Sequence, residues 1–184
     1  MEQNVSMKIN ELPSPTWNWL KVNETPIKWS NKIEPCEIAA EGDAVATETE
    51  QLSDIETGAG READAIFATE NTAKYQILAD NVGQDKTVRL HISGKKDAHT
   101  AGCVEIVAKE NSTLTVVMDS RVAPDATKEE ESTAEASLAV RVRMKVESGA
   151  SVRLVQVQMP QEHETLLSDI GGNLIGEGAK VEYL

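Results

Sequence analysis

Between Leu138 and Val146 every second residue is a large apolar one. Leu138, Val140, Val142, Met144 and Val146 share one side of an extended chain, and Arg141, Arg143 and Lys145 line the other. Period two over nine residues predicts a strand buried on one side, with the basic stripe on a solvated face or against an acidic surface of a partner or second copy. Shorter runs of the same kind are Val88-Arg89-Leu90-His91-Ile92, Val104-Glu105-Ile106 and Leu114-Thr115-Val116. In Val152-Arg153-Leu154-Val155-Gln156-Val157 the alternation slips at Leu154-Val155, which predicts a bulge or corner. Room for helix in this half is confined to Thr69–Ala79 and the loops.

The runs recur with their turns. Glu110-Asn111-Ser112-Thr113-Leu114-Thr115-Val116-Val117 resembles Ser148-Gly149-Ala150-Ser151-Val152-Arg153-Leu154-Val155, and both resemble Glu177-Gly178-Ala179-Lys180-Val181-Glu182-Tyr183-Leu184. The turns lie 38 and then 29 residues apart, and the longer interval holds an acidic loop from Asp119 to Glu135. Repeated turn-plus-strand units predict a mainly β chain built as a β-solenoid, whose coils bury their apolar faces only by stacking. An aromatic content of 3% suits the narrow interior of such a stack. An antiparallel jelly roll or sandwich is the alternative.

Residues 1–64 read differently from residues 65–184, the expected β core. Leu12-Pro13-Ser14-Pro15-Thr16-Trp17-Asn18-Trp19-Leu20 carries two prolines that fix an extended or turn backbone, and Trp29 completes a set of three tryptophans within thirteen positions. Such large apolar side chains anchor an arm to a body or form a patch for a partner. Glu34 to Asp64 holds ten acids and one base, Arg61, without a sustained apolar period. It reads as an acidic linker or loosely held helix, with Ala44 to Ile55 as the helical piece.

The cadence of Val140–Val157 followed by Thr165–Leu184, together with Leu12-Pro13-x-Pro15-Thr16-Trp17-x-Trp19-Leu20, resembles the SufB/SufD family of iron–sulfur cluster assembly proteins, in particular the N-terminal portion of SufD-type chains. The resemblance covers about two thirds of the chain. It implies a right-handed parallel β-helix preceded by an arm with little regular structure or short helices. It further implies a cytoplasmic scaffold that works with a SufC-type ATPase and a SufB-type subunit, the iron–sulfur cluster entering only at the level of the complex. The family's cluster-associated cysteine and histidine and its ATPase-docking region are expected beyond Leu184, with the β core incomplete at its C-terminus. None is therefore carried onto a residue of this chain, and an unpaired last coil would invite a homodimer or a capping chain.

Charge changes the picture of partners. The net charge is −13, of which −9 lies between Glu34 and Asp64. Nucleic acid and anionic membranes repel such a chain. No stretch of about 18 apolar residues is available to span a bilayer, and Met1–Lys8 has no apolar run of a secretory signal. Cys36 and Cys103 form no CxxC pair and are expected as free thiols.

Candidate chemistry is sparse. His99 and Cys103 have an x3 spacing that offers one nitrogen and one thiolate to a metal, but the intervening Thr100-Ala101-Gly102 reads as a turn and no second ligand pair accompanies them. His163, in Gln161-Glu162-His163-Glu164, reads as solvent-facing; Cys36 has no nearby base to activate it, and His91 sits within a strand run. Gly171-Gly172-Asn173 and Gly176-x-Gly178 lack the lysine and the strand–helix context of a phosphate loop and read as turn glycines. No nucleophile–base–acid constellation is present, so the expectation is a non-enzymatic scaffold without catalytic, cofactor or metal residues. A solenoid or jelly-roll module binding a carbohydrate or protein ligand is the alternative function, and a small metal- or thiol-dependent enzyme a third.

Overall fold

The structure is a computed structural model that describes residues 4–10, 24–43, 51–68, 72–80, 82–122 and 135–184. Twelve strands are seen among them: β1 (Asn4–Ile9), β2 (Thr25–Ser30), β3 (Glu34–Pro35), β4 (Glu37–Gly42), β5 (Ala73–Ala79), β6 (Asp85–Ser93), β7 (His99–Ala108), β8 (Thr113–Arg121), β9 (Ala136–Val146), β10 (Ser151–Gln158), β11 (Glu164–Leu174) and β12 (Lys180–Tyr183). A 3-10 turn at Arg61–Ala63 leads into the single-turn helix α1 (Asp64–Phe67).

From β5 onward successive strands alternate between two sheets. Sheet I has the order β12-β10-β8-β6-β4, and sheet II the order β11-β9-β7-β3, with β5 also pairing with β7. Every ladder among β5 to β12 is parallel. The antiparallel jelly roll or sandwich therefore does not describe this half; antiparallel pairing is confined to β1–β2 and β4–β6.

The register reproduces the sequence repeat. Thr113 lies opposite Ser151, and Ser151 opposite Lys180, which are the corresponding positions of the three repeated turns. The same step of 38 residues joins His99 to Ser137, while Asp85 to Thr113 and Ala136 to Glu164 are steps of 28. The longer step contains the acidic loop.

Alternation packs the space between the sheets. Val88, Leu90, Ile92, Leu114, Val116 and Met118 of sheet I meet Val104, Ile106, Val140 and Val142 of sheet II in one apolar cluster. Parallel strands place equivalent residues side by side, so each β-branched row continues into the next. No aromatic is needed at this thickness.

The outer face of sheet II is covered as well, against the one-sided expectation for β9. Ala101 stands opposite Ala139, and Ala139 opposite Leu167. These residues cluster with Trp29, Met7, Ile9, Ile66 and Phe67. Two alanines leave room for the indole of Trp29, which is fully buried. Trp29 thus anchors the arm to the body; Trp17 and Trp19 lie outside the described residues.

Several local expectations are corrected. Residues 34 to 64 are not a linker where they are described, because β3 pairs with Thr100–Ala101 and β4 pairs with all of Val88–Ser93. Residues 51–55 are not helical, and 44–50 lie outside the described residues. Ala73–Ala79 is strand, its Ile77 and Ala79 buried beside β7 where a helix has no place. No bulge interrupts β10, whose eight residues pair in unbroken register with β8. Leu154 is followed on the inner face by Gln156, whose Oε1 accepts hydrogen bonds from Ser168 Oγ (3.0 Å) and Tyr183 Oη (2.7 Å). A polar residue at an inner position mimics a phase slip.

Candidate functional site

The most elaborate polar arrangement lies on the outer face of sheet II, beneath residues 51–67. Parallel register sets Cys103, Arg141 and Asp169 in one row across β7, β9 and β11. Asp169 is enclosed, and its carboxylate accepts three hydrogen bonds. Arg141 Nε lies 2.7 Å from Oδ2, Thr57 Oγ1 donates to Oδ2 at 2.7 Å, and the Ala59 amide donates to Oδ1 at 2.8 Å.

Arg141 was expected on a solvated face, and its side chain is 4% exposed. Its guanidinium carbon stands 4.1 Å from the centre of the Phe67 ring, a cation–π contact made more effective by exclusion of water. Nη2 lies 2.8 Å from Asp64 Oδ1 without hydrogen-bond alignment. A buried guanidinium is tolerated only when paired, and Asp169 supplies the pairing.

The neighbouring row continues the pattern. Arg143 Nε donates to the Ile55 carbonyl at 3.1 Å, and Glu105 accepts from the Leu52 amide (3.3 Å) and from Gln76 Nε2 (2.7 Å). Gly171 faces this strap directly: a Cβ there would lie 2.0 Å from the Glu56 carbonyl oxygen. Gly171 and Gly172 are therefore residues of β11, not of a turn, whereas Gly176 and Gly178 have the positive φ of turn glycines. What this arrangement does chemically is clamp. Its carboxylates and guanidinium groups are spent on one another and on backbone groups of residues 52–59.

The separate candidates stay apart. His99 and Cys103 sit on one strand, β7, not across a turn. Four residues of extended chain separate them by about 13 Å, too far to share a metal ion. His99 Nδ1 is 2.6 Å from Ser137 Oγ, and its ring lies 5.9 Å from that of Trp29. Among the described residues no group of three or more His, Cys, Asp or Glu is arranged to hold a metal.

Both cysteines are buried and free. Cys36 belongs to the cluster between the sheets and Cys103 to the outer cluster, so sheet II separates them. Burial pushes the Cys36 thiol up to about 12 and raises Cys103, against the opposing pull of Arg141 and Arg143. Neither is an activated nucleophile in the closed fold.

His163 is exposed at a turn with φ of 69°, as expected. His91, on the outer face of sheet I, lies between Glu41 (3.7 Å) and Asp119 (3.9 Å), and Arg121 pairs with Asp119 at 3.0 Å. Sequence reading passed over Asp169, Thr57 and Glu105. The only signal for Asp169 was an acid at an outward position of a strand beside a basic one. Among the described residues no helix is long and apolar enough to cross a membrane. No family model, curated protein or solved structure matches this chain.

Proposed function

We propose that this chain is a non-catalytic scaffold of the SufB/SufD type, built as a right-handed parallel β-helix and acting in the cytoplasm. In this reading it contributes to an iron–sulfur cluster assembly complex through contacts with a SufC-type ATPase and a SufB-type subunit, the cluster being cargo of the complex. The observation that carries the reading is the parallel stacking of β8, β10 and β12 at the repeated turns, Thr113 beside Ser151 and Ser151 beside Lys180. Strands that alternate between two sheets and stack on the strand two elements earlier form coils, and coils make a rigid surface for partners without requiring a pocket. The anchored arm that ends in Trp29 supports it further. The polar groups of sheet II support a scaffold over an enzyme, because they are committed to holding residues 52–59.

The test is co-expression of the chain with a SufC-type ATPase and a SufB-type subunit from the same genome, with an affinity tag on this chain only. Recovery of either subunit in a stoichiometric complex that survives size exclusion supports the proposal. A chain that elutes alone, while the other two associate with each other, contradicts it.

A further inference from the structure

The layer over sheet II is attached differently from everything else in the molecule. Strands of the two sheets are joined by continuous ladders and by an interior without charged side chains. The covering layer comprises β1, β2 and residues 51–67. Among the described residues it makes one backbone–backbone hydrogen bond to sheet II, Gly58 N to Ile170 O at 3.2 Å. Its other polar attachments run through side chains of the sheet: Glu105, Arg141, Arg143 and Asp169. Within itself the layer is well joined, by the β1–β2 ladder, the Asn10 amide on the Ala59 carbonyl (3.2 Å) and the Lys8 amide on Glu62 Oε2 (2.6 Å).

We propose that this layer opens as a unit from sheet II while the two-sheet body stays folded, and that opening bares a polar row, Cys103–Arg141–Asp169, that runs across three strands beside the already exposed Lys74. Register places these residues side by side. Separation of the layer returns a buried guanidinium and a buried carboxylate to water, and their hydration offsets part of the lost packing of Trp29, Ile66 and Phe67. The interior has no such compensation, since its residues gain nothing from water. Regions held by fewer ladder bonds open before the body does. Cys103, Arg141 and Asp169 thus form a covered surface of a thiol, a cation and an anion, exposed only in the open form.

The two cysteines report the two levels of opening, since Cys103 lies under the layer and Cys36 lies between the sheets. Thiol labelling of the native protein, read by mass spectrometry at each cysteine, is expected to modify Cys103 about tenfold or more faster than Cys36, at a rate insensitive to low urea. Thr57→Val removes one hydrogen bond to Asp169 and is expected to speed Cys103 about threefold or more with Cys36 unchanged. Asp169→Asn is expected to act in the same direction more strongly, and hydrogen exchange at the amides of residues 52–59 should rise with it. Modification of both thiols at one urea-dependent rate, or acceleration of both together in the variants, overturns the proposal.

Discussion

Asp169 and Arg141 show why a residue's environment is decided by positions far from it in sequence. The period-two pattern assigns Arg141 to the outward side of β9, and it is there, opposite Asp169. What the pattern does not carry is that Thr57 and Ala59, more than 100 positions before Asp169, hydrogen-bond its carboxylate. Removing one partner of this enclosed pair is costly. Asp169→Ala is expected to lower unfolding free energy by about 3–5 kcal/mol in urea denaturation, because it strands a buried guanidinium. The double variant Arg141→Met/Asp169→Leu is expected to lose clearly less than Asp169→Ala alone, as both charges leave together. Trp29→Ala is expected to cost about 3–5 kcal/mol, since its indole has no exposed surface to relax into. The thiol of Cys36 gives a pH dependence of definite sign. Its folded pKa of about 12 lies above the ordinary value of 9.0, so the unfolded chain ionises first. Its contribution is constant below pH 9 and is lost as pH rises toward 12; Cys36→Ala is expected to flatten that alkaline decline in denaturation midpoints.

Strands were far more legible than the elements that cover them. β6 and β8 alternate because one face meets the apolar interior, and β9 alternates in sequence, though buried on both faces over most of its length, because its covered outer positions include Arg141 and Arg143. β7 does not alternate, being buried on both sides with Trp29 and α1 over its outer face, and its Thr100-Ala101-Gly102 therefore reads as a turn. Residues 51–60 have no period at all. Apart from the Thr57 hydroxyl, their polar contacts to sheet II use backbone amides and carbonyls, which any residue provides, so their composition reads as a linker. A further mark of their contact lies on the other element, at Gly171, where a Cβ would meet the Glu56 carbonyl. Gly171→Ala is expected to destabilise the fold by about 1–3 kcal/mol by pushing on the Glu56 carbonyl, with increased hydrogen exchange in residues 52–59 as its signature. The difference between the 38-residue step and the 28- and 29-residue steps assigns about ten residues of the β8–β9 connection to an insertion. Deleting ten residues within 123–134 is expected to leave the melting temperature within about 5 °C of the parent.

At the scale of the whole molecule, two parallel sheets share one apolar interior, and a separate layer closes one outer face. Among the described residues, the acids between Glu34 and Asp64 belong in part to that layer and in part to edge strands β3 and β4 and the residue after β4. Proposed partners would meet a body whose surface is set by stacked parallel strands, and whose polar groups under the layer are already engaged. Repeats disclosed this stacking because each parallel strand presents the same turn and the same inward residues to its neighbour. They disclosed nothing about the layer, which occurs once. The claim on which the scaffold reading rests is the parallel order of β8, β10 and β12. Backbone NOEs measure it directly, amide contacts in a deuterated sample and α-proton contacts in a protonated one. Parallel stacking places contacts between Val116 and Leu154 and between Leu154 and Tyr183, with the short cross-strand α-proton pairs of an antiparallel ladder missing throughout β5–β12. Antiparallel α-proton contacts between any two of these strands, or pairing of β8 directly with β9, would contradict the account.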